Sequence, residues 1–252
     1  MNDKWTKEEI CTHLGDEYER FHGAVVPPIF QNSLFVAPNI NSDGGSNSEQ
    51  KYNYTRINNP TTEIAERKIA ALEEGESARC FGSGMAAITA SILNCISGHS
   101  HVVAMKNIYP GTKKFLDTYM TKFGIETTYV LDGDPGRIEE AIQPNTRLIY
   151  IESPSYLFFE MVDIERITKI AKSRGIKTII DNTWSTPMFQ NPLKMGVDIV
   201  VHSASKYLGG HSDIVAGAAV GSREIMESIS GNERELLGLA WTLIRLGFSP
   251  EE

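Results

Sequence analysis

Short apolar runs alternate with amphipathic segments from about residue 61 onward. The apolar runs are only three to five residues long, which is typical of strands that are buried on both faces of a sheet. Between them lie segments with helical spacing, such as 62–73, where Ile64, Ile69 and Leu72 fall near one face and Gly75 follows as a stop signal. The pattern predicts strands at 101–105, 127–131, 148–151, 178–180 and 198–201, and helices at 62–73, 86–94, 110–124, 135–142 and 163–174.

Alternating strands and helices imply right-handed crossovers and an α/β fold, with a mostly parallel sheet covered by helices on both faces. In such a sheet, the carboxyl ends of the strands carry the functional site. The first 51 residues differ, because two prolines in 24–30 exclude a central strand and 38–51 has the composition of turns. We therefore expect an N-terminal arm with a mobile loop at 1–51, and a large domain at 52–230.

Composition and charge narrow the classes of function. The 252 residues include 24 basic and 32 acidic side chains, and this net charge of −8 argues against a general binder of nucleic acids or anionic membranes. The uncharged stretch 80–105 is interrupted by glycine and polar residues, which argues against a membrane span. The charged first residues contain no apolar segment of the kind found in signal peptides, so none is expected, and three cysteines without a CxxC pair predict reduced thiols. The expected location is the cytoplasm, and no metal site is expected.

Two clusters of candidate binding residues lie at the ends of predicted helices and strands. Gly82, Ser83 and Gly84 precede a predicted helix, where backbone amides can approach an anion, although such a sequence is also common in packing turns. Asp181 directly follows a strand, so its carboxylate can hold a cationic ring nitrogen or cap a turn. The acidic cluster 73–76, by contrast, is expected to be a solvated helix end.

Two further clusters contain a lysine and a tyrosine. Lys206 lies between Ser203, Ser205 and a glycine pair just after an apolar strand, and these small polar neighbours suit a Schiff-base lysine better than a surface lysine. His202 lies nearby, with no catalytic role assigned. Tyr109 follows another strand and can stack on a planar ligand or simply lie at the rim. Together, an anion cradle, a stacking aromatic, an Asp and a Lys are the parts of a pyridoxal 5'-phosphate (PLP) site.

The same residues belong to longer motifs that resemble one family. The sequence is similar to the Cys/Met-metabolism branch of the fold-type I PLP-dependent enzymes, which includes cystathionine β-lyases, cystathionine γ-synthases and γ-lyases, and methionine γ-lyases. The motifs that carry this resemblance are Gly23–Ile29, Tyr54–Arg56 with Asn59–Thr61, Gly82–Met85, Tyr109, Glu152–Pro154, Asp181–Trp184 and Ser203–Asp213.

The resemblance implies a role for each candidate residue. Lys206 would bond the cofactor and shuttle protons, Asp181 would pair with the pyridinium nitrogen, and Tyr109 would stack on the ring. The cofactor phosphate would be held by residues of two subunits, with Gly84, Met85, Ser203 and Ser205 from one and Tyr54 and Arg56 from its neighbour. A complete site would then need at least a dimer, and members of this family are usually tetramers.

Two departures from the family pattern bear on the activity. Tyr156 and Leu157 stand where many members have Asn-Pro, which shifts the expectation toward cystathionine β-lyase chemistry, with γ-synthase, γ-lyase and methionine γ-lyase activity as alternatives. We also expect 231–252 to begin a linker helix toward a C-terminal domain that this sequence lacks, and Arg245 is too early to be the arginine that grips the substrate carboxylate. A truncated, catalytically incomplete PLP-binding fragment, or a structural module, are the alternatives from other classes.

Overall fold

A seven-stranded sheet organises the computed structural model, which describes residues 5–36, 52–131 and 133–241. The strands, numbered along the chain, are β1 (Ser77–Phe81), β2 (His101–Met105), β3 (Glu126–Val130), β4 (Thr146–Glu152), β5 (Lys177–Asp181), β6 (Ile199–His202) and β7 (Gly217–Gly221). Their order across the sheet is β1-β7-β6-β5-β4-β2-β3. Only the pairs that involve β7 are antiparallel, so the carboxyl ends of the other strands lie at one edge of the sheet.

Helices connect these strands, and their ends follow local capping rules. The side chain of Asn59 accepts a hydrogen bond from the amide of Thr61, and Pro60 occupies the first helical position, so α2 begins there. The helices of the described residues are α1 (Lys7–His13), α2 (Pro60–Leu72), α3 (Gly84–Cys95), α4 (Pro110–Lys114), α5 (Pro135–Glu140), α6 (Ile164–Ser173), α7 (Thr186–Phe189) and α8 (Arg223–Ile229). A π-helical turn at Phe115–Tyr119 and a 3-10 turn at Met120–Phe123 continue α4.

The predicted α/β fold with a mostly parallel sheet is confirmed. All five predicted strands and all five predicted helical segments are present, with shifts of a few residues at their ends. Every residue of β2 and β6 is buried, as the continuous apolar runs indicated. The prediction of a solvated helix end at 73–76 is wrong for Glu73, which is fully buried, whereas Glu74 and Glu76 are exposed.

The sequence pattern did not reveal β1 and β7, which pair with each other at one side of the sheet. Both are rich in small residues, and glycine and alanine have low strand propensity. The small residues serve close packing instead. A Cβ atom on Gly217 would lie 2.1 Å from the carbonyl oxygen of Ser83, so the loop after β1 approaches β7 only because position 217 is glycine.

The N-terminal arm rests on the large domain through α1. The ammonium group of Lys68 on α2 donates to the carbonyl of Cys11, and Arg67 forms an exposed ion pair with Glu17 at 3.0 Å. Residues 24–30 form no strand, in agreement with the proline argument. The predicted mobile loop at 38–51 lies outside the described residues, and the boundaries of arm and domain stay predictions.

The stretch 80–105 is divided between the end of β1, helix α3 and strand β2. In the part of the chain that the structure describes, no helix is both long enough and apolar enough to cross a membrane. The three cysteines are unpaired, and burial raises the pKa of the Cys80 and Cys95 thiols. Cys80 is buried and Cys95 partly buried, so these two thiols are unreactive, whereas Cys11 is exposed and not packed.

A buried arginine joins the C-terminal part of the described chain to the segment that contains Arg56. Arg234 lies in a π-helical turn after α8 and donates from Nε to the carbonyl of Cys80 at 3.0 Å and from Nη1 to the carbonyl of Ile57 at 2.7 Å. Its charge faces the carboxylate of Glu66 at 3.6 Å. Beyond this turn Ala240 bridges to Phe81, and the prediction that 231–252 begins a linker helix stays a prediction, since 242–252 lie outside the described residues.

Replacing Arg234 with methionine should lower the free energy of unfolding by about 3–5 kcal/mol, the range for breaking a buried ion pair. The substitution removes the positive charge that faces Glu66, whose carboxylate keeps its hydrogen bond from the Cys80 amide, and it removes the donor to the carbonyls of Cys80 and Ile57. Urea unfolding of Arg234→Met measures the change. Arg223→Met, at an exposed position on α8, is the matched control and should stay within about 0.5 kcal/mol of the parent protein. Equal stability of the two variants would contradict the anchoring role of Arg234.

Candidate active site

Two carboxylates meet at the carboxyl edge of the sheet. Glu152 ends β4 and Asp181 ends β5, and the two residues pair directly in the parallel register. Adjacent strands lie about 4.8 Å apart, and paired residues point to the same face, so the carboxylates are close neighbours. Asp181 is 7% exposed, and its Oδ1 accepts a hydrogen bond from the amide of Thr183 at 3.0 Å.

Glu152 is a site residue for which the sequence analysis assigned no role. Burial, and then repulsion from Asp181, raise the pKa of the Glu152 carboxyl well above its usual range, whereas the Tyr109 amide and the Lys206 ammonium oppose the shift. Glu152 Oε2 accepts the amide of Tyr109 at 2.7 Å, so it also fixes the loop after β2. Its position at the end of a buried strand, like that of Asp181, was the signal available in the sequence.

Lys206 and Tyr109 come together above these carboxylates. Lys206 Nζ lies 5.4 Å from the centroid of the Tyr109 ring. The main chain of Lys206 is held in a tight turn, since its amide donates to the carbonyl of Ser203 and its carbonyl accepts from the amide of Gly210. The structure therefore places three of the predicted residues, Lys206, Tyr109 and Asp181, around one space.

The N-terminus of α3 lies where the sequence predicts an anion cradle. The hydroxyl of Ser83 caps the helix by accepting from the amide of Ala86, and the helix supplies no acceptor for the amides of Gly84 and Met85. A Cβ atom on Gly84 would lie 2.8 Å from Cβ of Ser203, so the absence of a side chain lets the lysine loop approach these amides. Gly84, Met85 and Ser203 are thus close to one another.

Gly111 allows the Tyr109 ring to pack close to Met85 at the start of α3. A Cβ atom on Gly111 would lie 2.4 Å from the Tyr109 ring and 2.9 Å from the sulfur of Met85. The Tyr109 ring and Met85 therefore both pack over the backbone of Gly111. The cradle at α3 and the aromatic ring after β2 are parts of one site.

Three predicted residues have other contacts in this chain. The hydroxyl of Ser205 donates to the carbonyl of Ala216 at 3.2 Å and accepts from its amide at 2.9 Å. The guanidinium of Arg56 lies 4.8 Å from the Tyr54 ring centroid, and Tyr54 bridges to Leu34. The roles of Ser205, Tyr54 and Arg56 in phosphate binding stay predictions.

The loop after β4 carries the departure from the family pattern. The Tyr156 ring meets the Tyr109 ring edge-on, with centroids 6.0 Å apart, and the Tyr156 amide donates to the carbonyl of Asn107. Asn107 in turn donates from its side chain to Glu160 at 3.0 Å. Leu157 is exposed and has a positive φ of 65°. Tyr156 therefore supports the outer side of Tyr109.

The residues present fit PLP. The amides of Gly84 and Met85 at the start of α3, with Ser203 beside them, suit a phosphate, which helix N-termini bind through unpaired amides. The buried carboxylate of Asp181 suits a protonated ring nitrogen, because an opposite charge favours the protonated form. The ring of Tyr109 offers a face for stacking, and Lys206 offers a primary amine beside it.

Comparison with known proteins agrees with this geometry. The family model described as Cys/Met metabolism PLP-dependent enzyme matches residues 8–245. An L-methionine gamma-lyase of Treponema denticola is 39% identical over 221 residues, which are 86% of this chain and 55% of that protein. A cystathionine beta-lyase MetC of Staphylococcus haemolyticus is 41% identical over 221 residues, 88% of this chain and 54% of that protein.

A solved structure shows the same fold. The crystal structure of cystathionine gamma-lyase from Lactobacillus plantarum, complexed with L-serine, superposes with a TM-score of 0.86 at 34% identity and covers 94% of this chain and 60% of that one. The chain thus spans about half the length of the two curated relatives described above.

Proposed function

The chain belongs to the family of Cys/Met metabolism PLP-dependent enzymes, and we propose that it acts as a carbon–sulfur lyase on a sulfur amino acid, with β-elimination from cystathionine as the reaction. The observation that carries the proposal is the amine of Lys206 lying 5.4 Å from the Tyr109 ring centroid, beside the paired carboxylates of Glu152 and Asp181. Action in the cytoplasm is part of the proposal.

Each residue has a defined task in this reaction. When bound, PLP supplies the electron sink that makes a carbanion at the substrate Cα accessible. Lys206 takes the Cα proton as general base, and its exposed amine has room to move between cofactor and substrate. Asp181 holds the proton on the ring nitrogen. Tyr109 would stack on the ring and help to activate the substrate amine.

Two features favour β-elimination over γ-chemistry. Tyr156 and Leu157 replace the Asn-Pro pair found in many γ-enzymes, and the segment after Asp181 reads Asn-Thr-Trp, as in the β-lyase branch. The relatives include both kinds of enzyme and support only the common carbon–sulfur chemistry. Cystathionine γ-lyase, γ-synthase or methionine γ-lyase activity is therefore the second candidate.

The products from cystathionine distinguish the two candidates. We expect purified protein loaded with PLP to release homocysteine, pyruvate and ammonia, because cleavage on the β side leaves a three-carbon keto acid. Cleavage on the γ side would release cysteine, 2-oxobutyrate and ammonia instead. Chromatography of the keto acids as hydrazones measures both at once, and 2-oxobutyrate as the only keto acid would overturn the β-lyase assignment.

Self-association is a further part of the proposal. Arg56 is exposed, and its guanidinium lies over the Tyr54 ring, which suits residues that reach the phosphate of a neighbouring subunit. We propose a dimer or tetramer with shared sites. If the protein takes up PLP on Lys206 but releases neither keto acid, the alternative of a PLP-binding fragment without turnover replaces the lyase proposal.

A further inference from the structure

We infer that Glu73 is a positioning residue for the candidate active site. Through His202 and Asn182 it holds the ends of β5 and β6, which carry Asp181 and the loop of Lys206. The inference rests on the proposed function, since it concerns the geometry of the same PLP site. Glu73 itself touches none of the residues that face the cofactor.

The carboxylate of Glu73 is the centre of a buried polar cluster. Glu73 follows the last turn of α2 and is 0% exposed. Its Oε1 accepts from Nε2 of His202 at 2.6 Å and from Nδ2 of Asn182 at 2.8 Å. Oε2 of Glu73 and Nδ1 of His202 have no hydrogen-bond partner among the described residues.

Gln190 extends the cluster to a third strand end. Its side-chain amide donates to Oδ1 of Asn182 at 2.9 Å and to the carbonyl of Ser153 at 3.0 Å. Its own carbonyl accepts from Asn182 at 3.0 Å. Because Ser153 follows Glu152 at the end of β4, the side chains of Glu73, Asn182 and Gln190 tie three neighbouring strand ends together.

Two residues of the cluster are direct chain neighbours of candidate site residues. Asn182 follows Asp181, and the backbone amide of Asn182 donates to the carbonyl of Val201 at 3.0 Å. His202 precedes Ser203, whose amide donates to the hydroxyl of Thr183 at 2.8 Å. A shift of either strand end would therefore move the Asp181 carboxylate relative to the lysine loop.

Positioning explains this cluster better than stability does. Buried ionisable groups contribute little net stability compared with well-packed apolar side chains, because their desolvation is costly. Hydrogen bonds do, however, restrict distance and angle narrowly, so a shared acceptor fixes its two donors relative to each other. A displacement of about 1 Å at a reacting group can cost about 100-fold in rate.

The test compares substitutions at two adjacent glutamates. Glu73→Met keeps the volume and removes both acceptor oxygens, and we expect the Kd for PLP to rise about 10- to 100-fold, the range for residues that orient a ligand's direct contacts. Glu73→Gln retains an oxygen at the Oε1 position and should recover affinity to within about threefold of the parent. Glu74→Met is the matched control, since Glu74 is exposed and pairs with Lys194 at the surface.

Absorbance titration of the full chain, freed of cofactor, with PLP measures these values. The pH dependence of the cofactor band is a second readout, which a purely structural role would not change. We expect this profile to shift in folded Glu73→Met and to return in Glu73→Gln. Folded Glu73→Met with the affinity and the pH profile of the parent would overturn the inference and leave the proposed function intact.

Two other outcomes are also decisive. A parent protein that binds no PLP would overturn the proposed function, and this inference with it. If Glu73→Met does not fold, Gln190→Leu replaces it, because this change keeps Glu73 and removes the bonds to Ser153 and Asn182. We expect about a tenfold weaker PLP affinity for folded Gln190→Leu, and unchanged affinity together with an unchanged pH profile would overturn the inference.

Discussion

Lys206→Ala should reduce turnover of cystathionine by about 1000-fold or more, within the range that positioned proton transfer contributes to catalysis. Lys206 has the only amine seen beside the Tyr109 ring in the described residues, at 5.4 Å from its centroid. Alanine removes both the group that bonds the cofactor and the base that takes the Cα proton. PLP can still enter the cradle at α3, so affinity should fall much less than rate.

Borohydride treatment and peptide mapping separate these two effects. In the parent protein, reduction should fix the cofactor on the peptide that contains Lys206, whereas Lys206→Ala should release it on unfolding. Lys169→Ala on α6 is the control, because Lys169 is mostly exposed and its pair with Glu165 lies at the surface. Full turnover by Lys206→Ala would exclude Lys206 as the catalytic lysine.

Asp181→Asn should lower turnover by about 100-fold. An opposite charge within about 4–6 Å shifts the pKa of its partner by about 1–3 units, and each unit changes the protonated fraction up to tenfold. Asparagine has nearly the same shape and can still accept the amide of Thr183 through Oδ1, so the loop geometry should persist. The expected loss is therefore electrostatic: without the carboxylate, the ring nitrogen loses its proton near neutral pH.

A matched loss of charge on α6 tests this interpretation. Asp163→Asn also removes one carboxylate, but Asn caps a helix as well as Asp does, so turnover should not change. The pH dependence of cofactor absorbance should shift only in Asp181→Asn. A turnover of Asp181→Asn close to that of the parent, with cofactor bound, would show that the carboxylate does not control the ring.

The strand ends that carry the chemistry were predictable because short apolar runs mark buried strands. Asp181 follows such a run, and parallel strands bring their carboxyl ends to one edge of the sheet. The small-residue strands β1 and β7 were not predictable, since their pairing depends on each other rather than on strand propensity. The same holds for the contact of Gly84 with Ser203, which depends on the packing of α3 against the lysine loop.

Glu73 shows why the local sequence pattern gave a wrong prediction near the candidate site. An acidic residue near the end of a helix, followed by Glu74 and Gly75, has the pattern of a solvated helix end. Its partners His202 and Asn182 lie 129 and 109 residues further along the chain. No short motif records such a contact, because it arises only when α2 packs beside the ends of β5 and β6.

The sequence by itself determined the α/β class and the family resemblance, and it marked Lys206, Asp181 and Tyr109 as candidates for the chemistry. These follow from local signals, namely hydrophobic periodicity, small-residue turns and residue types at strand ends. Only the tertiary structure decided which buried polar groups pair, that Glu152 lies against Asp181, and that Arg234 anchors the segment of Arg56. Such contacts join distant parts of the chain, and burial makes each partner necessary to the other.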